Sequence, residues 1–519
     1  VAPAPAPDGE APVSVDPTLD EAAALEAAAE AERAEHDDDA WDEVDPELAP
    51  TPDAENGVRY VLDDVRVEGN ARTRSNVVRA YVPLEPGDTI DPDSDDLVSI
   101  AWALRGTGFF DKVQLRLERG TERGHVVLVV EVHERNAIVV QQFNMGLSEG
   151  LSRSSDTTTD VRPYVGVALA DTNLFGTGTM LSAAWLMSER QQGIRLGFQD
   201  PRLVGSSYAL RLAGFFNNAR QFFGRDPTVS QVCPPPPEAP PDCPAEVAAD
   251  NAVVFYRRGG VQIGAGRTVG TTLHYSIDLQ AEAVRVRSMP EVAAEMRGSL
   301  IVPIDFAIEP GTSFVSSLRF ALLYDRRDDP ALTTRGVFVR GQIELGTRLL
   351  GSNYDFVRLQ GQARGYIPLG PRHTLRLSAF AGLVVGDAPF FYRFHVSDLT
   401  DLVPSRILEM EIDRRPAPNF FDNAIELMRN EEFAARFDIQ YDYAVFRANT
   451  SRTVSGVNAY VNVGVYSLAD LRDLVVSIPG YEGASRIPID LTFDLGFRID
   501  TQIGSFDLAF ANFLGFLDL

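Results

Sequence analysis

The sequence predicts a mostly β protein in which a small α+β domain and an acidic tail precede an antiparallel transmembrane β-barrel. Two observations carry this prediction. Residues 487–500 alternate strictly between apolar and polar side chains, which indicates a strand with one apolar face. The same alternation recurs from residue 137 onward and gives too many strands for one soluble core, which favours apolar faces turned toward lipid. No apolar run approaches the ~18 residues of a membrane helix, so a closed barrel is the expected membrane architecture.

Residues 1–57 form a low-complexity tail rich in Ala, Pro, Glu and Asp. They carry 18 acidic residues against the single Arg33, and so hold −17 of the net charge of −27. With almost no apolar stripe, the tail is expected to be a disordered or part-helical periplasmic tether. Its acidity argues against nucleic acid as a partner. The Ala/Pro-rich start at Val1 suits a segment trimmed after export, although a cropped chain would look the same.

Residues 58–136 are predicted to form the small α+β domain, in the order strand, helix, helix, strand, strand. The first strand alternates over Tyr60–Val67, and Thr73 is expected to cap a helix over residues 76–82. A second helix has an apolar face that includes Leu97 and Leu104. The last two strands are predicted from the alternation of residues 113–117 and 127–129.

Four motifs of this segment resemble a POTRA domain. They are Val65-Arg-Val-Glu-Gly69-Asn70 with Thr73, Leu84-Glu-Pro-Gly87-Asp88, Leu104-Arg-Gly-Thr-Gly108-Phe109-Phe110-Asp111-Lys-Val113, and Val130-Glu-Val-His-Glu134-Arg135. The resemblance covers the whole segment and implies one POTRA copy.

Residues 137–519 are predicted to form the barrel. Fifteen strands are counted near 138–148, 161–170, 178–188, 191–200, 205–217, 252–266, 270–287, 312–325, 335–347, 353–366, 372–386, 431–446, 454–467, 487–500 and 504–516. Because bacterial single-chain barrels have an even number of strands, a 16-stranded barrel is expected, with one strand missed or merged. Short turns alternate with long loops at 218–251 and 387–430, which is typical of outer-membrane barrels.

Three barrel motifs, taken with the POTRA segment, resemble the BamA/TamA superfamily of bacterial outer-membrane assembly and transport proteins. They are Asp171-Thr-Asn173-Leu174-Phe-Gly176-Thr-Gly178, Phe198-Gln-Asp200-Pro201, and Tyr324-Asp325-Arg-Arg327-Asp328-Asp-Pro330 with Thr334-Arg335-Gly336. The resemblance implies insertion or translocation of other polypeptides in the outer membrane. The implied partners are outer-membrane lipid, nascent outer-membrane or secreted polypeptides, and periplasmic or inner-membrane accessory proteins.

Two client-binding places are expected on this reading. The first is the edge of the second long POTRA strand, at Val113, Leu115 and Leu117, because the family tends to expose that edge and a sheet edge can add an extended client strand. The second is the seam where the strand at 138–148 meets the last strand. A passive or structural channel plugged by residues 387–430 is the alternative function.

In the family, a long loop enters the lumen with a Val/Leu-Arg-Gly-Phe/Tyr motif whose Arg pairs with acids on the wall. In the corresponding segment only Arg406 matches that Arg, and Asn462 stands at the position matched to the wall Asp. Both partners are altered, which implies a rewired plug, and lumen packing and gating remain open as its roles. The candidate loop residues are Arg406, Glu409, Glu411, Asp413, Arg414 and Arg415; the candidate wall partners are Arg436, Asp438, Asp442 and Asn462.

Cys233 and Cys243 flank a Pro-rich loop and are expected to form a disulfide in an oxidising compartment, with free thiols as the alternative. Gly146-Leu-Ser148-Glu-Gly150 fits a hydrolase elbow, but the strand–turn–helix context that such an elbow needs is not predicted there. The six histidines form no ligand spacing. We therefore expect no enzymatic activity, no metal site and no cofactor.

Overall fold

The architecture comes from a computed structural model of the chain. It describes residues 59–92, 94–150, 160–203, 206, 208–224, 228–231, 247–249, 252–269, 272–297, 300–328, 332–395, 406–408, 410–411, 420–421, 423, 425, 430–447, 454–471, 483–501 and 504–511. The acidic tail and both cysteines lie outside this set, so the tether and the disulfide stay predictions. No helix within the described ranges is long and apolar enough to cross a membrane.

The N-terminal domain is a four-stranded sheet with two helices. Its elements are β1 (Tyr60–Glu68), α1 (Ser75–Arg79), β2 (Thr89–Ile90), α2 (Asp95–Gly106), β3 (Phe110–Arg119) and β4 (His125–Glu134). The strands lie in the order β2-β1-β4-β3, with β1 parallel to β4 and β3 antiparallel to β4. Apolar side chains of both helices and of the strands form one core, which includes Leu62, Val78, Ile100, Leu104 and Leu128.

The rest of the chain forms one large antiparallel sheet of fifteen strands in the order β25-β24-β23-β22-β19-β18-β17-β16-β13-β12-β9-β8-β7-β6-β5. These strands are β5 (Ile138–Gly150), β6 (Asp160–Leu174), β7 (Thr179–Ser188), β8 (Gln191–Asp200), β9 (Tyr208–Phe223), β12 (Ala252–Val269), β13 (Leu273–Ser288), β16 (Thr312–Asp325), β17 (Gly336–Gly346), β18 (Phe356–Gly370), β19 (His373–Gly386), β22 (Phe433–Arg447), β23 (Val454–Ala469), β24 (Ile489–Thr501) and β25 (Gly504–Ala511). The sheet curls so that Cα atoms of β25 and β5 come within 8 Å. All fifteen strands counted from the sequence are present.

The expected sixteenth strand is not found within the described residues. Every neighbouring pair in the sheet is antiparallel. With fifteen members, the first and last strands, β5 and β25, therefore run in the same direction.

Along the strands, side chains alternate between a buried inner face and an exposed outer face, as the sequence predicted. On β24 the polar members Asp490 and Asp494 are 0% and 2% exposed, whereas Phe497 is 43% exposed. The same pattern holds on β22, where alternate residues from Ala434 to Ala444 are buried inside and their neighbours are half-buried or exposed outside. Apolar side chains thus cover the outer surface and polar side chains line the interior.

One loop prediction was wrong at its start. Strand β9 runs to Phe223 and takes in the first six residues of the loop expected at 218–251. The chain then enters a second, smaller sheet. That sheet is formed by β10 (Thr228–Gln231), β11 (Val247–Ala249), β14 (Val292–Arg297) and β15 (Leu300–Pro303), in the order β11-β10-β14-β15. Phe223 packs edge-to-face against Phe306 at a centroid distance of 5.1 Å.

The POTRA-like domain docks on the turn between β6 and β7. Asn173, which is 3% exposed, donates from Nδ2 to Thr73 Oγ1 at 2.7 Å and accepts from the Gly178 amide at 2.8 Å. The Arg74 amide donates to Gly176 O at 3.0 Å. Gly176 has a φ of +70°, and a Cβ there would lie 2.1 Å from Arg72 O, so only glycine fits. Thr73, expected as a helix cap, is instead a docking residue; the side chain of the actual N-cap, Arg74, makes no capping bond.

Two further turns on the same side of the barrel reach the domain. Arg202 Nη1 donates to Ala80 O, and the Arg202 amide is held by Asp200 Oδ1 at 3.0 Å. The Arg335 guanidinium lies 5.7 Å from the ring centroid of Trp102 on α2. Each of the three barrel motifs singled out in the sequence therefore includes, or directly precedes, a residue that contacts the N-terminal domain.

A carboxylate clasp joins β1 to the connection between β3 and β4 and to the start of β4, and it predicts a pH dependence. Asp63 accepts from the Thr121 amide at 2.7 Å and the Thr121 hydroxyl at 2.8 Å, and it contacts His125 Nδ1 at 2.6 Å. The Thr121 amide bond, with help from His125 and the hydroxyl, lowers the pKa of Asp63 from 3.8 to about 2. Because the folded pKa is the lower one, ionised Asp63 stabilises the domain above pH 3.8. That contribution is lost as the pH falls through about 2.

We expect amide hydrogen exchange in β1 and β4, corrected for intrinsic rates, to accelerate between pH 4 and pH 2. In Asp63→Asn the same amides are expected to exchange faster at neutral pH and to lack this acid-dependent step. Identical pH profiles for the two proteins would contradict the role of the clasp.

Candidate functional site

The predicted docking edge is a free edge of the N-terminal sheet. Strand β3 pairs with β4 on one side, and no described strand pairs with it on the other. The Gly120 amide donates to His125 O at 2.9 Å, which fixes the bonded pairs of the ladder on even-numbered β3 residues. The backbone groups of Val113, Leu115 and Leu117 consequently point away from β4. The Val113 carbonyl accepts a 3.4 Å bond from the Arg105 guanidinium, which leaves the edge beyond it open.

The barrel seam lies between β5 and β25. Fourteen ladders join the fifteen strands in sequence, but none is recorded between the two end strands within the described residues. The outward side chains Phe143 on β5 and Leu508 on β25 are 51% and 59% exposed. The seam is thus the one junction of the described sheet without main-chain pairing.

The lumen contains an aromatic cluster contributed by the start of the 387–430 segment. Phe390, Phe391 and Tyr392 form a short 3₁₀ turn and are all buried. Phe390 packs edge-to-face on Phe223 and Tyr256 of the wall, at centroid distances of 5.4 and 5.2 Å. This run was part of a segment read as polar loop, although its sequence already showed four aromatic residues in five.

A buried ion pair of the wall supports this cluster. Arg258 on β12 and Glu282 on β13 lie 2.8 Å apart, with side chains 1% and 0% exposed. The Arg258 guanidinium also lies 3.9 Å from the Phe391 ring centroid, which is close cation–π geometry. Gln280 donates to Tyr392 Oη at 3.1 Å. This pair was not predicted, although alternation alone places both charges on inward positions.

The tip of the segment reaches a distant part of the wall. Arg406–Ile407 (β20) and Met410–Glu411 (β21) form a two-residue hairpin. Asn217 on β9 donates from Nδ2 to Leu408 O at 2.7 Å, and Met410 is fully buried. A Cβ on Gly193 of β8 would lie 2.5 Å from Met410 Cε. Since β9 is six strands from β19 in the sheet, the described residues at the tip lie against a part of the wall far from the strand that precedes the segment.

The described backbone pairs Arg406 with Glu411 across the hairpin. Of the other loop candidates, Glu409, Asp413, Arg414 and Arg415 lie outside the described residues. The contacts that the structure gives for this tip are with β8 and β9, whereas the sequence analysis looked to β22 and β23.

The predicted wall partners Arg436, Asp438, Asp442 and Asn462 all face inward, with exposures of 7% or less. Arg436 bridges Asp438 at 3.4 Å and Asp494 at 3.5 Å. Asn462 donates to the same Asp494 at 3.1 Å, across the β23–β24 ladder. Asp494 was not singled out, yet it is the carboxylate that joins two of the predicted residues.

The later part of the segment returns to β24. The Phe420 amide donates to Asp490 Oδ2 at 2.8 Å, and Asn423 donates to Ile489 O. The Gly146–Gly150 motif lies at the end of β5, so the elbow-like sequence is strand at that point. Within the described residues no group of three or more His, Cys, Asp or Glu is arranged to hold a metal ion.

We expect substitutions of Arg258 and of its neighbour Arg257 to differ sharply in their effect on stability, because Arg258 belongs to the buried ion pair. Arg258→Met leaves the Glu282 carboxylate buried without its ion-pair arginine and is expected to lower the free energy of unfolding by about 3–5 kcal/mol. The double variant Arg258→Met with Glu282→Leu removes both charges and is expected to regain most of that loss. Arg257→Met changes an exposed side chain and is the matched control, with an expected effect within about 0.5 kcal/mol. Denaturant unfolding in detergent micelles measures all three, and equal stability of the two single variants would contradict the prediction.

Comparison with known proteins agrees with this architecture. Residues 60–135 match the POTRA family described as a surface antigen variable number repeat. Residues 173–399 match the Omp85 superfamily domain. Over 354 residues the chain is 24% identical to "Outer membrane protein assembly factor BamA" of Nitratidesulfovibrio vulgaris. This match covers 66% of the chain but only 37% of the length of that relative.

Solved structures with the same fold include CdiB from Escherichia coli. It has a TM-score of 0.50 and 8% identity, and the match covers 87% of this chain and 72% of CdiB. BamA from Haemophilus ducreyi lacking POTRA domains 1–3 has a TM-score of 0.45 and 13% identity, over 87% of this chain and 80% of the other. The chain therefore contains a POTRA repeat at residues 60–135 and an Omp85 superfamily domain at residues 173–399, the latter within a barrel whose outer surface is apolar.

Proposed function

We propose that this protein inserts or translocates other polypeptides in the outer membrane. Client segments dock first on the free edge of β3 and then at the seam between β5 and β25. The proposal rests mainly on one observation: among the residues that the structure describes, no ladder joins the two end strands of an otherwise continuous sheet. The name of the N. vulgaris relative, an assembly factor, supports the same activity.

The seam suits an incoming strand because, over the described parts of β5 and β25, no ladder occupies the facing main-chain groups of these two strands. A backbone N–H or C=O facing hydrocarbon without a partner costs several kcal/mol, so a client strand that pairs there is strongly favoured over one left in lipid. Since β5 and β25 run in the same direction, a strand between them is antiparallel to both. Apolar-out alternation on both sides sets the register of that strand.

The β3 edge suits an extended segment of little sequence preference. The outward N–H and C=O groups of Val113, Leu115 and Leu117 provide main-chain bonds, which do not depend on the client's side chains. Because the N-terminal domain docks on three barrel turns, the β3 edge lies on the same side of the barrel as that domain. We propose that this side is periplasmic and that lipoproteins or inner-membrane proteins assist there.

The lumen is unsuited to free diffusion of solutes. The buried turn at Phe390–Tyr392 packs against the wall on β9, β12 and β13, and Leu408 contacts β9. This packing favours transport at the seam over a passive channel. We further propose that the protein acts by binding and templating alone, with no catalytic step and no cofactor.

Reconstitution tests the proposal directly. The full chain, with Cys233 and Cys243 changed to Ser, receives one cysteine in β5 and one in β25 and is placed in liposomes. The folding of an unfolded outer-membrane barrel is followed by its gel shift. We expect faster folding than in empty liposomes, loss of the acceleration when the seam is cross-linked, and recovery when the cross-link is reduced. A client that folds at the same rate with and without the protein would remove the proposed activity.

The β3 edge has its own prediction, which compares Leu117→Pro with Leu117→Ala. Both variants lose the same side-chain packing, but only proline removes the outward-facing N–H, and an edge strand tolerates proline at such a position. One lost main-chain bond is worth roughly 0.5–1.5 kcal/mol, so the proline variant is expected to bind an extended client peptide about two- to tenfold more weakly than the alanine variant. Hydrogen exchange in β4 controls for unfolding. Equal binding with intact β4 would show that clients do not use this edge.

A further inference from the structure

Residues 134–137 run from the last residue of β4 to the start of β5, and three of them bind three different parts of the molecule. The Glu134 carboxylate accepts from the backbone amides of Arg72 and Thr73 in the domain, the latter at 2.5 Å. The Ala137 carbonyl accepts from the Thr172 amide at 2.8 Å and its hydroxyl at 3.1 Å, at the end of β6. Between them lies Arg135.

Arg135 points across the seam. Its Nη2 atom donates to Asp500 Oδ1 at 3.0 Å and to the Thr501 carbonyl. Both acceptors close β24 just before the hairpin into β25, the last strand of the sheet. The Arg135 side chain is 21% exposed and that of Asp500 is 7% exposed, so the pair is largely shielded from solvent. The backbone amide of Arg135 donates to Phe109 O of the N-terminal domain at 2.8 Å.

We propose that Arg135 is a latch that holds the seam closed at the end of the barrel next to the POTRA domain. The inference builds on the proposed function and specifies how opening of the seam is controlled. The Arg135 side chain joins the base of β5 to the base of the β24–β25 hairpin. Within the described residues, no ladder joins the two end strands of the sheet. Arg135 acts on clients only through the position of these strands, so it is a positioning residue.

Two consequences follow from the location of the latch. While Arg135 is bound, separation of β5 from β25 begins at the opposite end of the strands. Because the Arg135 amide and the neighbouring Glu134 are both tied to the domain, a displacement of the domain pulls on the latch. The seam is thereby coupled to whatever occupies the β3 edge.

Distance measurement between spin labels tests the latch. Spin labels are placed at Phe143 and Leu508, which are both exposed on the outer face. Double electron–electron resonance in liposomes then measures the separation of β5 and β25. The background carries C233S and C243S. Arg135→Gln is expected to raise the population of long distances by about fivefold or more, the low end for a coupling of this kind. Asp500→Asn, which removes the charge from the other partner, is expected to act in the same direction.

Arg202→Gln is the matched control. Arg202 also joins the domain to the barrel through a guanidinium-to-carbonyl bond, but at the β8–β9 turn, away from the seam. Its distance distribution is expected to match that of the parent protein. Equal broadening in R135Q and R202Q would assign the effect to general loosening of the domain and overturn the latch. Unchanged distances in both R135Q and D500N would overturn it as well.

Client folding in the same liposomes separates the two proposals. If the parent protein accelerates client folding but R135Q leaves the label distances unchanged, the latch fails and the proposed function stands. If R135Q opens the seam but neither protein accelerates folding, the latch stands as a conformational contact and the proposed function fails. We expect both changes, with R135Q altering the acceleration by the factor by which it alters the open population.

Discussion

The requirement that backbone polar groups find partners away from water governs this molecule. Fourteen consecutive ladders meet it around the sheet, and apolar side chains on alternate positions then face lipid without cost. The junction of β5 and β25 is where the described sheet leaves it unmet. The roles proposed for the seam, for the free edge of β3 and for the contacts around them all depend on this one unpaired junction of the described sheet.

The interior is held by charge and aromatic packing. Buried ion pairs such as Arg258–Glu282 are costly to break because either partner alone would be left desolvated. The 387–430 segment exploits this by laying Phe391 over the Arg258 guanidinium. The second network, around Asp494, ties β22, β23 and β24 to one another beside the last strand. Side-chain contacts thus cross-link neighbouring strands of the wall at two separate places.

All fifteen strands of the described barrel sheet were predicted from the sequence, because period-two alternation is local and survives any tertiary arrangement. Sequence reasoning also placed β3 at a sheet edge through the family resemblance, and the topology agrees. It did not find the Arg258–Glu282 pair, since side chains 24 positions apart meet only once the strand register is known. It treated residues 387–430 as polar loop, because composition averaged over the segment hid the short aromatic run at Phe390–Phe394. Thr73 illustrates the same limit: its local context fits a helix cap, while its hydroxyl in fact meets Asn173 one hundred positions away.

The three turns that receive the N-terminal domain carry a lesson for engineering. Gly176 is confined against Arg72, Arg202 reaches Ala80, and Arg335 sits beside Trp102, so each turn is shaped to one feature of this particular domain. The fit is reciprocal and distributed over distant parts of the sequence. A chimera that exchanged only residues 59–136 for those of a relative would place a foreign domain on turns shaped for this one. Exchanging the three turns together with the domain would keep the matching contact surfaces together.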